Sequence, residues 1–291
     1  MINILKKLLK KIMPDFLFRI IYKTASWTYD LINSQFKQKR LKMFEKIENQ
    51  KDEKRKYLLY PELVSIFLTT KCNLKCFICR PDGFSGENLK LENLYKLKNA
   101  IHYAKIIELT GWGEAFIYKD LEKVLKYIYS VNNKDIIRIT TNGTKLSKKW
   151  AELLSGHLYS LNISLNAATK ETYESQMIGG NFEKTIANIE SFTSALDKSD
   201  KEKVRLHFVA HRKSFEEIPE FIELSKKLNI TNVSVGNYYV HREDHLSYSL
   251  LNDKDEFNRV IYKSRELAKK LEINFLARTF YSDNLTKKKI A

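Results

Sequence analysis

Cys72, Cys76 and Cys79, written C-N-L-K-C-F-I-C, are the only cysteines among 291 residues. Three thiolates at this spacing can hold three corners of a cubane iron–sulfur cluster, which leaves the fourth iron without a cysteine and open to another ligand. Zinc is the competing reading. A structural zinc site takes four protein ligands and a catalytic one three plus water, so a zinc knuckle here would need His102 or another distant histidine. Zinc ribbons usually bring two separated C-x-x-C pairs, and this chain has no second one. A disulfide framework prefers an even count in a small secreted chain, and structural cysteines scatter through a core rather than gather in one loop.

The elements that must position these thiols can be read from periodicity. From residue 60 onward, short β-rich runs alternate with helical patterns. The predicted strands are Leu63–Leu68, Lys105–Leu109, Ile136–Thr141, Leu158–Leu165, Val204–Ala210 and Thr231–Val235, with Ile273–Phe280 as a further strand or edge extension. Helical periodicity covers Leu121–Tyr129, Phe182–Ala195, Phe215–Leu228 and Asp253–Leu271. Strand–helix alternation argues for a parallel sheet with helices outside, in an open sheet or a barrel. The motifs then fall at consecutive strand ends: Cys72–Cys79 after the first strand, Gly111-Trp-Gly-Glu114 after the second, Thr141-Asn-Gly-Thr144 after the third, and Ser164 and Asn166 at the end of the fourth. Function in parallel α/β folds gathers at the carboxyl ends of strands, so the four belong to one face.

With these motifs in this order, residues 60–240 resemble the radical S-adenosylmethionine (SAM) superfamily. The C-x-x-x-C-x-x-C loop matches its signature, and G-W-G-E is similar to its glycine-rich motif. T-T-N-G-T and L-N-I-S-L-N-A-A-T-K-E-T-Y-E resemble the branch that commonly carries a C-terminal SPASM extension. The resemblance implies a partial (βα)6 TIM barrel of radical SAM type, preceded by an N-terminal helical extension. It implies a [4Fe–4S] cluster on Cys72, Cys76 and Cys79, with SAM on the fourth iron through its amino and carboxylate groups. Reduction then cleaves SAM to a 5′-deoxyadenosyl radical, which abstracts hydrogen from a small-molecule, sugar or peptide substrate; an external donor such as flavodoxin or ferredoxin supplies the electron. Gly111, Gly113 and Glu114 are implied near the methionyl group, Ser164 near the ribose or carboxylate, and Asn142 and Asn166 in the same SAM site. Alone, a G-x-G is an ordinary turn, and Asn142 in Asn-Gly shapes one. Lys75 and Arg80 flank the thiolates and would raise a cluster's potential, although a lone Lys or Arg in a loop is more often merely solvated.

The sequence also departs from the pattern. The family's aromatic before the third cysteine is displaced to Phe77, with Ile78 in its usual place. Ala115 stands where proline often follows the glutamate, Asn166 replaces a common aspartate, and no arginine occurs near Gln176 and Met177. No cysteine follows Cys79, so the auxiliary clusters of a SPASM extension have no ligands here. The chain then either needs no auxiliary cluster or is a shortened relative; chemistry that sends an electron out through a second cluster is disfavoured, and redox-neutral rearrangement, epimerisation and group transfer stay open. Glu114, Tyr173, His207, His211, His241 and Arg242 are the candidates to face a substrate, although a strand histidine such as His207 is more often a satisfied barrel residue.

The formal charge of +16 is uneven: residues 1–56 carry 15 Lys or Arg against 6 Asp or Glu. Leu5, Leu8, Leu9, Ile12, Phe16 and Ile20 recur at helical spacing among lysines, which predicts a basic amphipathic helix over 1–24, and a second helical stretch follows over 26–50. Such a segment packs on the main domain, lies on an anionic membrane surface or attracts nucleic acid; with no nucleic-acid motif legible, peripheral membrane contact through residues 1–50 ranks above RNA or DNA. The expected organisation is a basic extension (1–56), a core domain (57–285) and a basic tail (286–291). No secretory signal is legible, and clustered thiols without one point to a reducing cytoplasm. The alternative from a different class is a catalytically inactive iron–sulfur or zinc-binding protein that docks a membrane or partner.

Overall fold

The computed structural model describes residues 60–79 and 86–280, together with Gln38, Lys39, Leu41, Lys42 and Glu45. Those five are helical and exposed, in keeping with the helical stretch expected over 26–50. The helix expected over 1–24, the rest of that stretch, Arg80 and the tail 286–291 lie outside the described residues. The chain divides into two units, Met1–Pro61 and Glu62–Ala291. The second unit contains the three cysteines and every strand among the described residues.

Seven strands lie side by side in chain order: β1 Leu63–Ser65, β2 Ile106–Glu108, β3 Ile137–Thr141, β4 Leu158–Ser164, β5 Val204–Ala210, β6 Asn232–Asn237 and β7 Asn274–Ala277. Every neighbouring pair is parallel. β1 and β7 are the two edges, so the sheet is an open part-barrel. The run Ile273–Phe280 supplies β7, one strand more than the six of the expected barrel. The helices between are α1 Leu91–Tyr95, α2 Lys98–Tyr103, α3 Leu121–Val131, α4 Lys148–Leu154, α5 Lys170–Gln176, α6 Phe182–Ala195, α7 Lys198–Lys201, α8 Ile218–Lys227 and α9 Lys254–Lys270.

The alternation of the strand residues separates the two faces. Along β5, Val204, Leu206, Phe208 and Ala210 are buried, whereas Arg205, His207 and Val209 are only partly so. The first set meets the helices: Phe208 packs edge-on against Phe221 of α8 at 5.0 Å between ring centroids, and Ile128 of α3, Ile189 of α6 and Ile261 of α9 are fully buried around it in one core. Each such side chain contributes about 1.5–3 kcal/mol by leaving water. The second set lines the inside of the part-barrel. Closed α/β barrels fill their inside with branched apolar side chains. Here Thr140, Asn162, Ser164, Arg205, His207 and Ser234 leave a cavity of ≈ 730 Å³.

Several boundaries move for physical reasons. The helix expected over Phe215–Leu228 divides into a 3-10 turn, Phe215–Glu217, and α8. Pro219 lies in the first turn of α8, and a proline without an N–H is tolerated only there. β6 runs on through Gly236 to Asn237 rather than stopping at Val235. β1 pairs on one side only and is formally three residues long, but Ile66 N still donates to Glu108 O (2.8 Å), so the chain stays extended toward the cysteines.

Candidate active site

The cysteine loop hangs from four other segments. At its start, Thr69 bridges Asn88 in antiparallel fashion. The Thr69 hydroxyl donates to Asn88 Oδ1 (2.7 Å) and accepts from Lys71 N (3.0 Å). In its middle, Lys75 N donates to Ile178 O (2.9 Å) and Phe77 N to Gln176 O (3.2 Å), which ties it to the carboxyl end of α5. Cys79 N closes a turn onto Cys76 O at 3.1 Å. The Cys76 thiol meets the Met177 thioether at 3.4 Å. Met177 is thus the side chain facing this thiol in the segment where the family often has an arginine.

The turn after β2 crosses this loop at backbone distance. A Cβ on Gly113 would lie 2.4 Å from both Thr69 O and Lys71 O, a contact that only glycine avoids. Gly111 backs onto the Phe67 ring, 3.1 Å from where its Cβ would be. The close approach that Gly113 permits is therefore to the protein's own cysteine loop. Glu114 N donates to Lys71 O at 2.8 Å. The Glu114 side chain, 2% exposed, accepts from Phe116 N (3.1 Å), the Thr141 hydroxyl (2.8 Å) and Asn142 N (2.7 Å). Burial pushes its pKa up, and these three donors pull it back. Glu114 joins the β2 and β3 ends and does not face a substrate space.

Asn142 completes the frame. Its Oδ1 accepts from Thr144 N (3.0 Å) and the Thr144 hydroxyl (2.6 Å), the turn expected of Asn-Gly. Its Nδ2 donates to Asn73 Oδ1 (3.1 Å) and approaches Cys72 Sγ at 3.8 Å. Asn73 in turn donates to the Thr144 hydroxyl at 2.9 Å. The ends of β2 and β3 and of α5 thereby hold the cysteine loop at separate points, which is how a sequence with three scattered motifs makes one site.

Cys72 and Cys79 are exposed and Cys76 is partly buried. The Cys76 thiol, kept protonated by its hydrogen bond to Cys79 and by burial, brings the Cys79 thiol down to about 7. Burial raises Cys72. Among the described residues no three His, Cys, Asp or Glu side chains converge closely enough for a single ion.

Other predicted residues have different fates. Ser164 lies on the inner face and lines the cavity. Asn166 adopts a left-handed backbone (φ 61°) and is buried. Its Oδ1 accepts from Val209 N at 3.0 Å, which clasps β4 to β5. Tyr173 is 0% exposed with its hydroxyl on Thr185 (3.0 Å), a core residue and not a substrate contact. His207 faces the cavity and shares a hydrogen bond with Ser234 Oγ at 2.8 Å. Arg242 pairs with Asp244 at 2.7 Å. Among the described residues His211, which is buried, has no hydrogen-bond partner for Nε2, and His241 Nε2 is likewise buried without one.

Phe77 stands at the centre of an aromatic group that sequence reasoning did not assemble. Its ring lies 5.0 Å from His211, edge-on, 4.8 Å from Tyr248, 5.6 Å from His245 and 5.7 Å from Tyr238. The displaced aromatic thus covers the loop from the side of residues 238–248. The signal for it was the Y-Y-V-H-R-E-D-H-L-S-Y run (238–248), unreadable as a site without its spatial relation to Phe77. Arg205 and Arg278, also unremarked in the sequence, line the cavity.

The family model of the radical SAM superfamily matches residues 66–224. A probable GTP 3′,8-cyclase of Saccharolobus islandicus (strain M.14.25) is 32% identical over 176 residues, covering 59% of this chain and 55% of the relative. One of Methanococcus maripaludis (strain C5) is 28% identical over 169 residues, 55% of this chain and 54% of the relative. The chain spans about half the length of the curated relatives it matches. Two solved structures share the fold. Streptococcus suis SuiB bound to S-adenosylmethionine has a TM-score of 0.58 at 21% identity, covering 88% of this chain and 64% of that one. The anSMEcpe protein with bound AdoMet has 0.59 at 19%, covering 73% and 62%. With its cysteine loop, the turns after β2 and β3 and the open part-barrel within or around the matched span, the chain belongs to the radical SAM superfamily.

Proposed function

We propose that Cys72, Cys76 and Cys79 hold the [4Fe–4S] cluster of a radical SAM enzyme that abstracts hydrogen from a small-molecule, sugar or peptide substrate inside the part-barrel. The observation that carries this reading is the fastening of all three thiols in one loop by the ends of β2, β3 and α5. Soft thiolates are the donors an iron–sulfur cluster takes. When bound, the cluster and SAM supply the electron transfer and the 5′-deoxyadenosyl radical. The chain's own residues orient and shield. Gly113 and Glu114 lock the β2 turn against the cysteine loop, Asn142 holds Asn73 and Cys72 in register, and Phe77 and its aromatic neighbours exclude water from one side. Ser164, on the inner face, supports a SAM site that extends from the loop into the cavity, with Gly111 and Asn166 shaping the turn and strand end beside it.

Small-molecule and peptide substrates both find support among the relatives, since one is named a probable GTP 3′,8-cyclase and one SuiB structure is bound to a precursor peptide. Exposure of Cys72 and Cys79 supports electron delivery by a soluble donor of the flavodoxin or ferredoxin kind. The decisive assay is reductive SAM cleavage with dithionite. The anaerobically reconstituted chain is expected to form 5′-deoxyadenosine and Cys76→Ala to form none; equal yields would refute the assignment. The surplus of basic residues in 1–56 supports peripheral membrane contact, and no described helix is long and apolar enough to cross a membrane. Deleting residues 1–50 is expected to abolish binding to anionic liposomes and to spare the cluster.

A further inference from the structure

The cavity inside the part-barrel has a charge pattern that the radical chemistry does not explain. Of the residues lining its ≈ 730 Å³, two are arginines and none is Asp or Glu. The volume is that of a small-molecule site. Strand register places the polar residues on two rungs. Asn162 of β4, Arg205 of β5 and Asn232 of β6 are level with one another. Ser164, His207 and Ser234 form the rung above, one pleat nearer the cysteine loop. The inner-face acid elsewhere, Glu108, is already taken: it accepts from Ser65 Oγ at 2.9 Å and faces Arg138 at 3.7 Å. The Arg205 side chain has no carboxylate and no hydrogen-bond partner among the described residues, and it stands beside His207.

A half-buried guanidinium without a counter-charge is costly, and its planar fork suits a phosphate or carboxylate. The upper rung leaves room for a ligand. Gly236 has no side chain to fill the space next to the His207 ring, whose Cε1 would lie 3.3 Å from an added Cβ. Burial and the Arg205 charge keep His207 below its ordinary pKa, so it serves as a neutral hydrogen-bonding group. Arg278, just after β7, lies toward the strand ends at the mouth of the same cavity.

We infer that the substrate carries an anionic group, a phosphate or a carboxylate, seated on Arg205 and Asn162, with its reacting part above the His207–Ser234 rung toward the cysteine loop. This rests on the radical SAM reading for the direction of the reacting end, but anion binding is measurable without turnover.

The test is calorimetric titration of the anaerobically reconstituted full chain with pyrophosphate and, separately, with malonate, each without and with saturating SAM. At least one probe is expected to bind in both conditions, and the preferred probe identifies phosphate or carboxylate as the group. Arg205→Gln is expected to weaken that binding about tenfold or more, and Arg205→Lys to restore part of it. Arg278→Gln is expected to weaken it less, and Arg259→Gln, on α9 and paired with Glu256, to leave it unchanged. The inference is overturned if the wild-type chain binds neither probe, or if Arg205→Gln binds as tightly as wild type with unchanged circular dichroism. It is equally overturned if saturating SAM displaces the probe, since the arginine would then serve SAM. Failure of SAM cleavage with intact anion binding would instead remove the reading on which the orientation rests.

Discussion

The ends of β1–β3 and the inner face of β4–β6 are both polar, yet they are polar in opposite ways. Around the cysteine loop the polar groups are paired: Glu114 accepts from three donors, Asn142 uses both ends of its amide, and Thr69 both donates and accepts. On the inner face the Arg205 and Asn162 side chains lie one strand apart with no partner for either among the described residues. A region whose groups satisfy each other is rigid before any ligand arrives, as a site that must hold a metal cluster in one geometry requires. A region whose groups lack partners is completed by what enters it. On the proposed reading, the contrast separates a cofactor platform from a substrate chamber within one sheet.

Substitutions sharpen or break that contrast, in descending order of expected effect. Gly113→Ala forces a methyl group against two backbone carbonyls that no rotamer change can relieve. It is expected to cost several kcal/mol, about 3 or more, and to prevent iron loading, read from the melting temperature and the visible spectrum after reconstitution. Glu114→Gln replaces one acceptor oxygen by a donor that faces other donors, with an expected loss of roughly 3 kcal/mol in urea unfolding.

His211 provides a pH test on the rim between the two regions. Burial first, and the Lys213 charge second, hold its pKa at about 4, below the unfolded value of about 6.5. The unfolded chain therefore binds the proton more readily. The stability that neutral His211 contributes is complete above about pH 6.5 and is lost as pH falls toward about 4, reaching a loss of about 2 kcal/mol by pH 5. His211→Gln is expected to flatten the wild-type fall in melting temperature over that window; identical slopes would show that another group is responsible. The smallest effect is expected for Arg205→Gln on stability, within about 0.5 kcal/mol of wild type or slightly favourable, because no protein partner is lost. A loss above about 1 kcal/mol would mean that Arg205 belongs to the frame and would erase the distinction between the two regions.

The sequence made the frame legible where chemistry and period coincide. Val204–Ala210 and Phe182–Ala195 are observed with the bounds that periodicity predicts, since a seven-residue alternation and a fourteen-residue helix leave little freedom. α5 was not legible: K-E-T-Y-E-S-Q holds one apolar residue, Tyr173, and no period can be read from one point. Its start is written instead in its cap, where Thr169 Oγ1 accepts from Thr172 N at 3.3 Å. The glycines of G-W-G-E were visible as a motif, but their partner was not, because the crowding of Gly113 against Thr69 and Lys71 exists only once two loops cross. Arg205 was hidden for the reverse reason. One arginine in a strand is unremarkable until register shows that nothing opposite neutralises it.

The bonds that suspend the cysteine loop from α5 also set a timetable for making the protein. Cys76 and its neighbour Met177 are separated by 101 positions in the chain. At ordinary elongation speeds of about 5–20 residues per second, the thiols are synthesised roughly 5–20 s before the last of the segments that fix the loop in place. During that interval the loop lacks its α5 anchor, including the Met177 contact to Cys76. Cluster delivery that waits for α5 meets a formed loop, so the order of translation itself favours loading late, onto a finished frame.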